Sequence, residues 1–346
     1  MSLRHNNFDL LRLVFASAVL LWHQFSVSKA PALEVLGRLA SADLGVKGFF
    51  VVSGYLVVMS CERSASLREY ASKRIRRIYP AYAVIVLAAF VAGWAMTSVP
   101  AADYLRGGAR YLLANLAFLN FLAPTLPGIF TANPWVEVNG ALWTLKVEVM
   151  FYAAVPLILL ACRRLGAMGA LGALYAMSVA YTLALEPWPQ LQRQLPGQLT
   201  YFLVGAALYL YRERAERAWG MLLAVALAAY LAQWLAPGLA VRSALEPIAL
   251  GIVVVFAACG LPYLGNFARY GDLSYGIYII HFPVIQAAVA AGLYARDPWL
   301  AFALTTAATL ALAFVCWHAI EKPFLGSRSH YRLAEGENRK RNRLAA

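Results

Sequence analysis

The chain has 346 residues, of which 62% are hydrophobic and 14% charged, and its formal net charge is +13. Soluble globular domains are roughly 45–50% apolar and about 25% charged, so this composition excludes an ordinary soluble domain. The excess of lysine and arginine is what a multi-pass membrane protein places on its cytoplasmic side, and it implies no nucleic-acid partner.

Apolar runs long enough to span a bilayer recur along the whole sequence. Spans are expected at 10–28, 44–62, 80–98, 141–161, 166–185, 198–212, 218–236, 244–260, 273–292 and 298–319. The expected fold is therefore an all-α polytopic membrane protein of about ten transmembrane helices. Residues 1–325 form its transmembrane domain and residues 326–346 a basic cytoplasmic tail. With the N-terminus inside, 20 of the 30 lysines and arginines fall in inner loops and tails and seven in outer loops. The positive-inside rule then puts both termini in the cytoplasm. The stretch 103–123 reads as an outer-face or re-entrant helix, because an eleventh span would destroy this charge pattern.

The first span carries Asp9, Arg12 and His23. Ionisable groups inside a span cost roughly 2.5–3.5 kcal/mol on insertion scales, which marks them as functional candidates. Eleven residues at 100° each overshoot three turns by about 20°, so Arg12 and His23 share one helix face about 16 Å apart. Asp9, three residues before Arg12, can pair with it. In the second span, "GFFVVSGYLV" holds Ser53 and Gly54, where small residues allow either close helix approach or exposed backbone. The segment 63–79 reads as a cytoplasmic loop. Its Lys73, Arg74, Arg76 and Arg77 either follow positive-inside bias or form a site for a phosphate-bearing ligand.

The fourth span brings Glu148 in from the outer side, roughly 10 Å deep, at a depth that overlaps His23. Lys146, about 200° around the helix, faces elsewhere. The ninth span puts His281 near mid-membrane, with Tyr278 one turn earlier. Each could instead be a structural hydrogen-bonding group, and Glu246, His318 and Glu321 read as interfacial or structural. The four cysteines lack paired spacing, so neither a disulfide framework nor a metal site is expected.

Six stretches together resemble membrane acyltransferase family 3, which O-acylates bacterial surface and secreted carbohydrates. They are "FDLLRLVFASAVLLWH", "GVKGFFVVSGYLV", "KRIRRIYPAY", "LWTLKVEVMFY", "SYGIYIIHFPV" and "IEKPF", and the similarity covers nearly the whole chain. The resemblance implies an acyl-CoA donor, most often acetyl-CoA, reaching the protein from the cytoplasm, and no permanently bound cofactor. It implies a carbohydrate hydroxyl as acceptor and the bacterial inner membrane as location.

Within that reading His23 is the expected base, Glu148 its orienting or charge partner, and Arg12 the residue at the inner mouth. Lys73, Arg74, Arg76 and Arg77 are expected to hold the phosphates of coenzyme A. Ser53, Tyr278 and His281 are candidate substrate or oxyanion contacts. A covalent acyl-histidine relay is the mechanistic alternative. A proton-coupled transporter of a small solute is the rival function, since buried His, Glu and Lys also suit proton relays.

Overall fold

In lipid every backbone N–H and C=O must find a partner within its own segment, so long apolar runs become helices. The computed structural model describes residues 6–269 and 271–326, and no β-strand occurs among them. Among the described residues, eleven helices of sixteen or more residues carry the architecture. They are α1 (Phe8–Ser28), α2 (Ala42–Glu62), α3 (Leu67–Met96), α4 (Ala101–Leu116), α5 (Trp143–Leu165) and α6 (Ala167–Ala184), then α7 (Leu195–Leu210), α8 (Trp219–Leu235), α9 (Leu239–Val255), α10 (Ser274–Ala290) and α11 (Pro298–Cys316). Each of the ten expected spans coincides with one of them, and α4 falls on the expected re-entrant stretch.

Among the described residues, seven helical stretches are long and apolar enough to cross a membrane. The helices α7, α8 and α10 have only 16, 17 and 17 residues. At 1.5 Å per residue they reach about 25 Å, short of a hydrocarbon core of about 30 Å. The basic tail lies outside the described residues from position 327 onward.

The segment 63–79 is not a loop. Helix α3 begins at Leu67 and runs through Pro80 to Met96. Its start is close to a capping box: Ser66 Oγ accepts from Glu69 N at 3.2 Å, and Glu69 Oε2 accepts from Ala65 N, one residue before the cap, at 2.9 Å. The cluster Lys73, Arg74, Arg76 and Arg77 therefore sits on the early turns of a helix.

The chain divides into two compact units. One contains the chain up to Phe15, Asp43–Ala71 and Val147–Gly265. Here α2 and α7 approach backbone to backbone: a Cβ on Gly54 would lie 2.0 Å from Phe202 O, and one on Gly205 would lie 2.1 Å from Val51 O. Close approach is thus the role of Gly54. Proline 156 removes the N–H that would bond Tyr152 O, and the Tyr70 hydroxyl takes that carbonyl at 2.9 Å. Lys47 pairs with Asp43 at 2.6 Å and with Glu246 at 2.7 Å, and Arg242 adds a bond to Glu246 at 2.9 Å. Glu246 thereby belongs to a four-charge network of no net charge.

The other unit contains Ala16–Ala42, Ser72–Lys146 and the chain from Asn266 onward. Proline 283 inside α10 orphans Ile279 O, which accepts from Asn139 Nδ2 at 2.8 Å. Gln286, fully buried on the same helix, donates to the carbonyls of Trp135 and Glu137, both at 2.7 Å. Asn133 Nδ2 returns a bond to Gln286 Oε1 at 2.8 Å. The connection before α5 is therefore tied to α10 along two turns.

Candidate active site

His23 lies on α1 and His281 on α10, both in the second unit. His281 Nε2 is 3.0 Å from His23 Nδ1. His23 Nδ1 also lies 2.9 Å from Val19 O, and His281 Nδ1 lies 2.9 Å from Ile277 O. His281 is completely buried, whereas His23 is half-buried. Trp22 and Phe282 meet the His23 ring edge-on, with centroids 5.1 and 5.3 Å away. The imidazole pair is thus packed among aromatic rings.

The next residue on α1 fixes the rotation of that helix. Gln24, also fully buried, donates to Thr305 Oγ1 at 3.1 Å and Thr306 Oγ1 at 3.3 Å on α11. Its side-chain carbonyl accepts from the Tyr294 hydroxyl. A buried polar group satisfied this fully costs about 1–3 kcal/mol to disrupt. His23 is therefore carried on a rigid, indexed segment.

Tyr278 sits one turn before His281, with ring centroids 6.1 Å apart. Its hydroxyl is 2.7 Å from Thr144 Oγ1 and 3.3 Å from Ala141 O, and Thr144 Oγ1 donates to Ala141 O at 3.1 Å. The two hydroxyls and one carbonyl form a closed knot that ties α10 to the start of α5.

Glu148 belongs to the first unit. Its Oε1 accepts from Tyr152 at 2.5 Å and from Ser53 at 3.2 Å. The structure thus brings Ser53 and Glu148 together, with Tyr152 as a third member that the sequence reading did not name. The spacing Glu148–Tyr152 was the available signal, because residues four apart share a helix face. Lys146 places its ammonium 4.4 Å from the Phe121 ring centroid, a cation–π contact.

The basic residues of α3 separate by environment. Arg77 donates to Asp272 at 2.5 Å and to Glu321 at 2.8 Å, and its side chain is 12% exposed. Arg76 is exposed, while Lys73 and Arg74 are intermediate. Arg77 thus sits in a buried cluster with two carboxylates. Asp272 and Glu321 as its partners had no signal in sequence spacing, although "IEKPF" marks Glu321. A wider helical turn over Trp317–Glu321 leads from α11 to that carboxylate. On α1, Arg12 and Asp9 approach to 4.0 Å, the pair expected from their spacing.

Residues 5–318 match the profile of the Acyl_transf_3 family, described as an acyltransferase domain. The chain belongs to membrane acyltransferase family 3. Nodulation protein 10 of Rhizobium leguminosarum bv. viciae is 30% identical, over 94% of this chain and 94% of its own length. An O-acetyl transferase of Shigella phage Sf6 is 27% identical, over 93% of this chain and 96% of its own length. The exopolysaccharide production protein ExoZ of Rhizobium meliloti (strain 1021) is 34% identical over 32% of each chain. No solved structure matches.

Family membership makes acyl transfer the chemistry of this chain. Acyl transfer needs a group that accepts a proton from the nucleophile and returns it to the leaving group. Among the candidate residues, a half-buried imidazole has the type and access for that task.

Proposed function

We propose that this acyltransferase moves an acyl group, acetyl in the simplest case, from acyl-CoA to a hydroxyl of a surface or exported carbohydrate. The carrying observation is the half-buried His23, braced by His281 on an indexed helix, within a chain of the acyltransferase-3 family. The phage O-acetyl transferase and the exopolysaccharide protein among the relatives support the acetyl and carbohydrate parts of the reading. The protein then sits in the bacterial inner membrane, with ten helices crossing it, both termini in the cytoplasm and lipid around its apolar faces. A transporter would share the buried ionisable groups, and the family match favours acyl transfer.

In this mechanism the carbohydrate hydroxyl gives its proton to His23 as its oxygen attacks the thioester carbonyl. The tetrahedral intermediate collapses by breaking the C–S bond. The CoA sulfur leaves and takes the proton back from His23, so the imidazole ends as it began. Arg76, with Lys73 and Arg74, meets the phosphates of the donor, while Arg77 shapes the helix that presents them. Glu148, with Ser53 and Tyr152, forms a second polar cluster, in the other compact unit.

The test compares surface polysaccharide by NMR from cells with the protein, without it, and with His23→Ala. Loss of one O-acetyl signal in the last two is the expected result, with equal amounts of folded protein in the membrane. An unchanged O-acetyl signal in His23→Ala cells would remove His23 from the mechanism.

A further inference from the structure

A neutral imidazole has one donor nitrogen and one acceptor nitrogen, and its neighbours decide which is which. Ile277 O, 2.9 Å from His281 Nδ1, is a carbonyl and only accepts. His281 therefore carries its proton on Nδ1 and presents Nε2 as an acceptor. That acceptor lies 3.0 Å from His23 Nδ1, and Val19 O lies 2.9 Å from the same nitrogen. Two acceptors converge on His23 Nδ1, so that nitrogen bears the proton. The opposite arrangement would aim the His23 Nδ1 lone pair at a carbonyl oxygen.

We propose that His281 is a positioning residue that, together with the Val19 carbonyl, holds His23 in the Nδ1–H tautomer, which makes Nε2 of His23 the basic atom. The inference rests on the reading of His23 as the catalytic base and adds the atom and the device that sets it. When Nε2 takes the hydroxyl proton, the Nδ1–H bond to His281 becomes charge-assisted and strengthens as the reaction proceeds. Both ring nitrogens of His281 are then occupied, one by Ile277 and one by His23. His281 accordingly acts through His23, and another group stabilises the oxyanion. The division of labour resembles the way a carboxylate orients the histidine of a hydrolase triad, with a second imidazole in the carboxylate's place.

The residue pair separates this role from simple packing. In His281→Gln the side-chain amide oxygen reaches the place of Nε2 and still accepts from His23. In His281→Phe the ring volume stays and the acceptor is lost. The probe is acetyl-CoA, and the readout is CoA thiol released by membranes of an expressing strain, with vector-only membranes subtracted. His281→Phe is expected to lower kcat by about 10²-fold or more while KM for acetyl-CoA stays within about twofold. His281→Gln is expected to recover most of the loss. Full kcat in His281→Phe, or equal loss in both variants, would overturn the proposal.

A second measurement does not depend on turnover. In wild-type protein carrying 15N-histidine, the His23 ring signals, assigned by their loss in His23→Ala, are expected to show Nδ1 protonated and Nε2 bare. A protonated Nε2 in the neutral ring would overturn the proposal even if both His281 variants failed to fold. If His23→Ala itself retains thiol release, the failure lies with His23 as base. If His23→Ala is inactive and His281→Phe is not, only the role of His281 fails.

Discussion

Arg77 donates to Glu321 at 2.8 Å, and the carboxylate it meets is 1% exposed. The same guanidinium donates to Asp272, 3% exposed, at 2.5 Å. The planar fork of arginine serves two carboxylates at once, which a lysine ammonium cannot do with the same geometry. Next to it in sequence, Arg76 is exposed.

The two neighbours should therefore respond to mutation in different ways. Arg77→Ala removes the guanidinium from two buried carboxylates and should destabilise the protein by roughly 3–5 kcal/mol, the range for breaking a buried pair. Arg77→Lys should recover only part of that loss. Arg76→Ala should leave the melting temperature of the detergent-purified protein unchanged and raise KM for acetyl-CoA severalfold. Thermal unfolding and thiol release, measured on all three variants, check this. Equal melting of Arg76→Ala and Arg77→Ala would contradict the assignment.

The contact between α2 and α7 gives a second contrast. Gly54→Ala would force a methyl group to 2.0 Å from Phe202 O, a backbone atom with no rotamer to yield. The helices must separate, at a cost of roughly 1–3 kcal/mol or more. Gly172 on α6 has nothing within 4 Å of the equivalent Cβ. There, Gly172→Ala should gain up to about 1 kcal/mol of helix propensity. Urea or heat unfolding of the two variants should move in opposite directions from wild type. A Gly54→Ala protein as stable as wild type would mean that the two helices are not in backbone contact.

The helices were legible because a bilayer demands long runs of apolar residues, and each of the ten expected runs coincides with a helix. Length separates the apolar helices α8 and α10 from the seven longer stretches. The family was legible because six short motifs kept their order over the chain. The start of α3 was misread although its capping signal, Ser66 followed by Glu69, stood in the sequence. Pro80 lies inside that helix, and proline is tolerated inside membrane helices where neighbours re-satisfy the backbone. Pairings across the fold are a different matter. His23 and His281 are 258 residues apart, and Arg77 and Glu321 are 244 apart. Helical period says which face a residue occupies and nothing about which helix packs there. Hence Arg77 read as a ligand-binding cation, whereas its charge is met inside the protein.

Prolines in α10 and α5 allow a sharper test, because each removes a known hydrogen bond and a distant side chain replaces it. Ile279 O loses its helical donor to Pro283 and takes Asn139 Nδ2 at 2.8 Å instead. Asn139→Ala should therefore leave a buried carbonyl unsatisfied and cost about 1–3 kcal/mol. In a Pro283→Ala background, the restored N–H of residue 283 is free to bond Ile279 O, and the same Asn139→Ala change should cost clearly less. The coupling between the two positions, read from unfolding of the wild type, both single variants and the double variant, should reach about 0.5–3 kcal/mol. Additive losses would show that Asn139 does not compensate for the proline. Tyr70→Phe supplies the parallel case, since it strips the donor from Tyr152 O, orphaned by Pro156, and Tyr152 also holds Glu148. Its loss of stability should likewise shrink in a Pro156→Ala background, while any accompanying fall in thiol release would report on the Glu148 cluster.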